Sequence, residues 1–102
     1  MNSSLQFKDK KLKEVVLHLM LKFENQIKIM DFWEADLCAI GICDNSEKQL
    51  IYISTFGLPH GRYNTILEKL KETKECKITI GEFNNVSLLK LEKLMIDHLK
   101  IV

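Results

Sequence analysis

The sequence has little of what usually announces a function. Among 102 residues there is one proline, and there are four glycines and three cysteines. Cys38, Cys43 and Cys76 form no CxxC pair, and an odd count argues against a secreted disulfide framework, so reduced thiols are expected. Neither sign of charge prevails: the formal net charge is +1, which marks the whole molecule neither as a polyanion binder nor as an acidic mimic of nucleic acid. No apolar run is long enough to cross a bilayer, and the opening MNSSLQFKDKK lacks the uninterrupted apolar segment of a signal peptide. A cytoplasmic protein with no membrane partner is the expectation. No catalytic, metal or nucleotide signature is present, so no cofactor, no metal and no enzymatic reaction are expected.

What is there suits an ordinary globular domain. Hydrophobic residues make up 46% and charged residues 28% of the chain, and the length fits a single domain over residues 1–102. From Lys10 to about Lys28, Leu12, Val15, Val16, Leu19, Phe23 and Ile27 recur at three- and four-residue spacing, which predicts an amphipathic helix. Ser3, Ser4 or Asp9 can cap its start.

The period then changes to two. FWEADLCAIGIC reads as a strand, with Trp33, Ala35, Leu37, Ala39 and Cys43 on a core-facing side. The other side starts polar at Glu34 and Asp36 and turns apolar at Ile40 and Ile42. Asp44-Asn45-Ser46-Glu47 supplies a turn before LIYISTF, so a hairpin follows. Gly57-Leu58-Pro59-His60-Gly61-Arg62 breaks the pattern and reads as a loop. YNTILEKL fits either a strand or a helix, and the strand is preferred because short connections join strands in antiparallel sheets. CKITIGEF alternates cleanly as the last strand. Ser87 then caps a helix with Leu88, Leu91, Met95 and Leu99 on its stripe. The predicted architecture is α+β: an N-terminal helix, a four-stranded antiparallel meander and a C-terminal helix, with both helices on one sheet face.

Several clusters invite a chemical reading. Glu34 and Asp36 fall on the same face, roughly 7 Å apart from the rise of a strand, a spacing seen in paired-carboxylate hydrolases. Exposed acids on one strand face are common, however, and a solvated surface or a docking patch is the better account. His60 and Arg62 share a glycine-flanked loop that can approach a ligand, but no nucleophile or orienting carboxylate accompanies them. His18 and His98 fall beside the helical stripes, where metal binding would need tertiary convergence. Lysines gather at Lys8, Lys10, Lys11 and Lys13 and again at Lys69, Lys71, Lys74 and Lys77. With acids on the first strand and no nucleic-acid-reading motif, direct nucleic-acid binding is not expected.

At WEADLCAIGIC, LIYISTFG, GRYNTILE and GEFNNVSLLKLEKLMIDHL the chain resembles small bacterial immunity proteins, the cytoplasmic antidotes of polymorphic or contact-dependent toxins. The likeness lies in a compact α+β outline, a first strand with interspersed acids and a strand-loop-strand element ending in a Gly-Arg-Tyr step. It implies a non-enzymatic inhibitor that binds one cognate toxin domain, often one attacking nucleic acid. The residues expected to meet that partner are Asp31, Trp33, Glu34, Asp36, Asp44, His60, Arg62 and Tyr63. The acids would pair with cations of a toxin cleft, and Trp33, Tyr52, Phe56 or Tyr63 would supply an aromatic anchor if exposed. Two alternatives stand beside it: a small ligand-binding regulator or enzyme using the His60 and Arg62 loop, and a homodimeric module joined through a sheet edge.

Overall fold

The structure, a computed structural model, describes residues 8–30, 36–70 and 77–102. The fold is α+β: α1 (Lys10–Lys22), β1 (Ile27–Ile29), β2 (Ala39–Asp44), β3 (Gln49–Ser54), β4 (Arg62–Leu70), β5 (Lys77–Ser87) and α2 (Leu88–Leu99). The strands form one antiparallel sheet in chain order, β1-β2-β3-β4-β5. The meander is therefore one strand larger than the four expected.

The additional strand was hidden inside a helical pattern. Ile27 continues the spacing of Leu19 and Phe23, but α1 stops at Lys22 with Phe23 as its C-cap. Asn25 then takes a left-handed conformation, φ 70°, which asparagine tolerates better than most residues. The chain reverses there, and Ile27 and Ile29 pair with Asp44 and Ile42 of β2. The residue 63–70 ambiguity resolves as a strand, and Asp9 and Ser87 are the observed N-caps, accepting from the Lys11 and Lys90 backbone N–H groups at 3.2 Å each.

Pairing register fixes which side chains share a face. Ile40 faces Ile53, Ile42 faces Ile51, and Ile51 faces Leu67 across β4. These residues form one cluster with Leu12, Val15, Val16 and Leu19 of α1 and with Leu91, Met95 and Leu99 of α2. Both helices thus cover the same face, and each fully buried aliphatic side chain contributes about 1.5–3 kcal/mol of transfer free energy. By alternation Cys43, Leu50 and Leu70 point the other way, where they cluster with Met30. Ala39 through Cys43 are all buried, so β2 is covered on both sides.

The start of β2 differs from the expected strand. It begins at Ala39, and residues 36–38 form the turn that leads into it. Leu37 is consequently not core-facing but 54% exposed, because a turn breaks the two-residue alternation. Asp31, Trp33, Glu34 and Ala35 lie outside the described residues, as does Cys76. Cys38 and Cys43 are thiols outside any disulfide. Among the described residues no helix is long and apolar enough to cross a membrane.

Candidate docking surface

The residues singled out from sequence separate to opposite ends of the sheet. Asp36 precedes β2, while His60 and Arg62 lie at the start of β4, and antiparallel pairing sets these positions at one end. Both helices also begin there. Asp44, the last residue of β2, lies at the other end with the β2-β3 hairpin.

The loop end is built from a hydrogen-bonded frame. The Asp9 N–H donates to the Leu37 carbonyl at 2.7 Å and the Thr55 N–H to the Cys38 carbonyl at 2.9 Å. Lys8 Nζ donates to the Asp36 carbonyl at 2.6 Å and Lys11 Nζ to the Leu58 carbonyl at 2.8 Å. Within the loop between β3 and β4, the Leu58 N–H reaches the Thr55 carbonyl and the Arg62 N–H the Pro59 carbonyl, each at 3.2 Å. Gly57 and Gly61 take φ values of +71° and +85°, a region where a side chain would be strained. The loop is therefore held by main-chain bonds at both of its bends.

Two apolar side chains stand out from this frame. Phe56 is 75% exposed although its own N–H donates to Ser54 Oγ at 3.3 Å, and Leu37 projects from the neighbouring turn. Around them, Asp36 Oδ1 accepts from the Cys38 N–H at 3.0 Å, and the Tyr52 hydroxyl approaches Oδ2 at a weak 3.5 Å. Burial, followed by the Asp36 charge, pushes the Tyr52 phenol up. His60 Nε2 lies 3.3 Å from Glu14 Oε2 of α1, with both groups largely in solvent.

Other sequence candidates take structural posts. Arg62 Nη1 donates to the Asn85 carbonyl at 3.3 Å, and the Asn85 N–H donates to Asn64 Oδ1 at 2.9 Å. Together they secure an irregularity of β5 where Asn85 adopts φ 56°. Tyr63 is 6% exposed and packed in the main core, so it offers no surface anchor; its phenol is pushed up first by burial and then by the Glu14 charge. Asp44 Oδ1 accepts from the Lys48 and Gln49 N–H groups at 2.8 and 3.0 Å, and Oδ2 from Ser46 Oγ. Burial pushes its carboxyl up, but these hydrogen bonds outweigh that and hold it below the ordinary aspartate value. Asp44 is a turn carboxylate, spent within the chain.

Sequence reasoning passed over two polar sites that join elements. Glu92 of α2 is buried, with Oε2 2.7 Å from His18 Nε2 and Oε1 2.9 Å from Lys22 Nζ of α1. Burial raises its carboxyl, and the Lys22 and His18 hydrogen bonds more than reverse this, leaving it below its ordinary value. His98 is buried, and its Nε2 lies 3.0 Å from the Leu50 carbonyl and 2.9 Å from the Glu68 carbonyl. With two carbonyl acceptors, that nitrogen carries the proton. The visible signal was a histidine and a glutamate flanking apolar helical stripes. Among the described residues no group of three or more His, Cys, Asp or Glu side chains is placed to hold a metal ion.

No family model, curated protein or solved structure matches the chain.

Proposed function

We propose that this protein works by docking rather than by chemistry, as an immunity-type inhibitor that neutralises a cognate toxin domain through the loop end of its sheet. The observation that carries this reading is Phe56, a large aromatic side chain 75% exposed on a loop whose backbone is fixed by hydrogen bonds. An aromatic group already held outward loses little conformational freedom on binding, and interface energy concentrates in such anchors. Leu37 extends the apolar patch, and Asp36, His60 and Arg62 supply a mixed-charge rim that can fix register against a cationic or an acidic contact. The likeness to bacterial immunity proteins supplies the class of partner, a toxin domain, with a nucleic-acid-cleaving one favoured.

The test is neutralisation by the full chain of the toxin domain encoded beside it. Co-expression is expected to restore growth, and Phe56→Ala is expected to weaken the measured affinity by at least about tenfold without shifting the thermal midpoint. Absence of rescue, or affinity indifferent to Phe56→Ala and Leu37→Ser together, would remove the loop end from this role.

A further inference from the structure

Among the described residues β5 is the last strand of the sheet on one side, with β4 as its one hydrogen-bonded neighbour there. Over Lys77–Glu82 its side chains are poorly covered: Ile78 is 44% and Ile80 58% exposed, and Thr79 and Glu82 are exposed as well. An open edge bearing apolar side chains is a template for one more strand. The register of β5 indicates which strand fits.

Leu70 donates its N–H to the Lys48 carbonyl at 2.8 Å, and main-chain bonds alternate between the two sides of an antiparallel strand. Even-numbered residues of β4 therefore bond β3, and odd-numbered ones bond β5. Ile78, Gly81 and Phe83, opposite Lys69, Leu67 and Thr65, turn their main-chain groups inward. Lys77, Thr79 and Glu82, opposite Leu70, Glu68 and Ile66, turn theirs away from β4. The register shift between Leu67 and Glu68 makes Ile80 an inserted residue, as in a β-bulge. Counted in sheet positions rather than residues, Lys77 and Glu82 are then equally distant from Thr79. Both also project from the face opposite the helices, since Lys77 pairs with Leu70 and Glu82 with Ile66.

We propose that β5 is a self-pairing edge: two copies of the chain join antiparallel about Thr79, with Lys77 of each copy opposite Glu82 of the other. A twofold axis normal to the sheet preserves its faces, so the opposite charges meet twice, and Thr79 exchanges main-chain bonds with its own counterpart. Ile78 falls opposite Gly81, the one position in this stretch without a side chain. An unrelated extended segment could satisfy the main-chain groups, but only a second copy brings this charge symmetry with it. The contact is isologous, the common form in homodimers, and it lies away from the Phe56 loop, so it stands or falls independently of the docking role.

Sedimentation velocity of the full chain, from low micromolar to submillimolar concentration, is expected to show a monomer–dimer equilibrium. Lys77→Glu and Glu82→Lys, each of which places like charges opposite one another twice, are expected to weaken dimerisation by about tenfold or more. The double exchange K77E/E82K is expected to return it to within about threefold of the original. Thr79→Pro removes the central N–H on the open side, where a proline is compatible with an edge strand, and is expected to abolish the dimer with the far-ultraviolet spectrum retained. A chain that stays monomeric throughout would overturn the proposal, and that is also the result if the edge serves a segment of a different protein. A dimer indifferent to either charge reversal, or one that the double exchange fails to restore, would overturn it equally.

Discussion

Asp36 and Asp44 flank the same strand, yet they meet different surroundings. Asp44 accepts two backbone N–H groups and a serine hydroxyl, and its neighbourhood is equally self-contained. Lys28 pairs with Glu47, whose hydrogen bond raises the lysine; Asn45 Nδ2 donates to the Asn25 carbonyl at 2.5 Å. Among the described residues Asp36 Oδ1 accepts one N–H, from Cys38, while Oδ2 has a long contact from Tyr52, and beside it Leu37 and Phe56 face solvent. One end of the sheet uses its polar groups to close a turn, and the other leaves large apolar groups in water. A carboxylate in a strand-flanking position is thus no guide to docking until its hydrogen bonds are known.

Substitutions at the two ends are expected to differ in size of effect. The largest effect is expected from His98→Ala, which empties a buried site and removes the tie from α2 to the β3-β4 pair; a loss of about 2 kcal/mol in denaturant unfolding is expected. Asp44→Ala should follow at about 1–2 kcal/mol, since it leaves the hairpin N–H groups of Lys48 and Gln49 without their acceptor. A value for Asp44→Ala close to that of a surface change would show that the hairpin end is less committed than its hydrogen bonds indicate.

A smaller effect lies on the acid limb of stability. Glu92 and Asp44 both titrate below their ordinary values in the folded chain. Each therefore adds stability that is complete above the unfolded carboxylate values and is lost as pH falls through the lower folded ones. Glu92→Gln, which removes the ionised partner of His18 and Lys22, should flatten the decline in thermal midpoint below about pH 4.5. A decline identical to that of the original chain would mean the interhelical carboxylate is not a source of it. The smallest effect is expected at the loop end, where Phe56→Ala should change stability by no more than about 0.5 kcal/mol. A larger loss would mean that Phe56 supports the fold and is not held out for a partner.

Much of this arrangement was legible in the order of residues, and the omissions have physical causes. The α1 stripe and the Ser87 cap follow from local periodicity and capping chemistry, and the extended reading of residues 63–70, where periodicity allowed helix or strand, from the short connections of antiparallel sheets; the structure has all three. β1 was missed because a three-residue strand is too short to establish a two-residue period, and Ile27 also completes a helical one. The signal that could have separated them was Asn25, a residue suited to the left-handed turn that ends α1. The turn at residues 36–38 was missed because Asp36 reads as a surface acid on a strand, whereas its side chain folds back onto the Cys38 N–H. Tyr63 and Phe56 were both possible aromatic anchors, and of the two Tyr63 stood among the residues expected to meet the partner. Only tertiary packing separates them, since Tyr63 sits in β4 under the helices while Phe56 follows the end of β3. The His18, Lys22 and Glu92 contact joins residues 74 and 70 positions apart, a convergence that no local pattern encodes.

The brevity of β1 has a consequence for how such a sheet could grow. Its three residues, Ile27–Ile29, give an incoming chain little main chain to grip, in keeping with short edge strands as a natural guard against uncontrolled stacking. With one margin too small to propagate and the other consumed by its own twin, assembly would end at a closed pair instead of running on into a fibre.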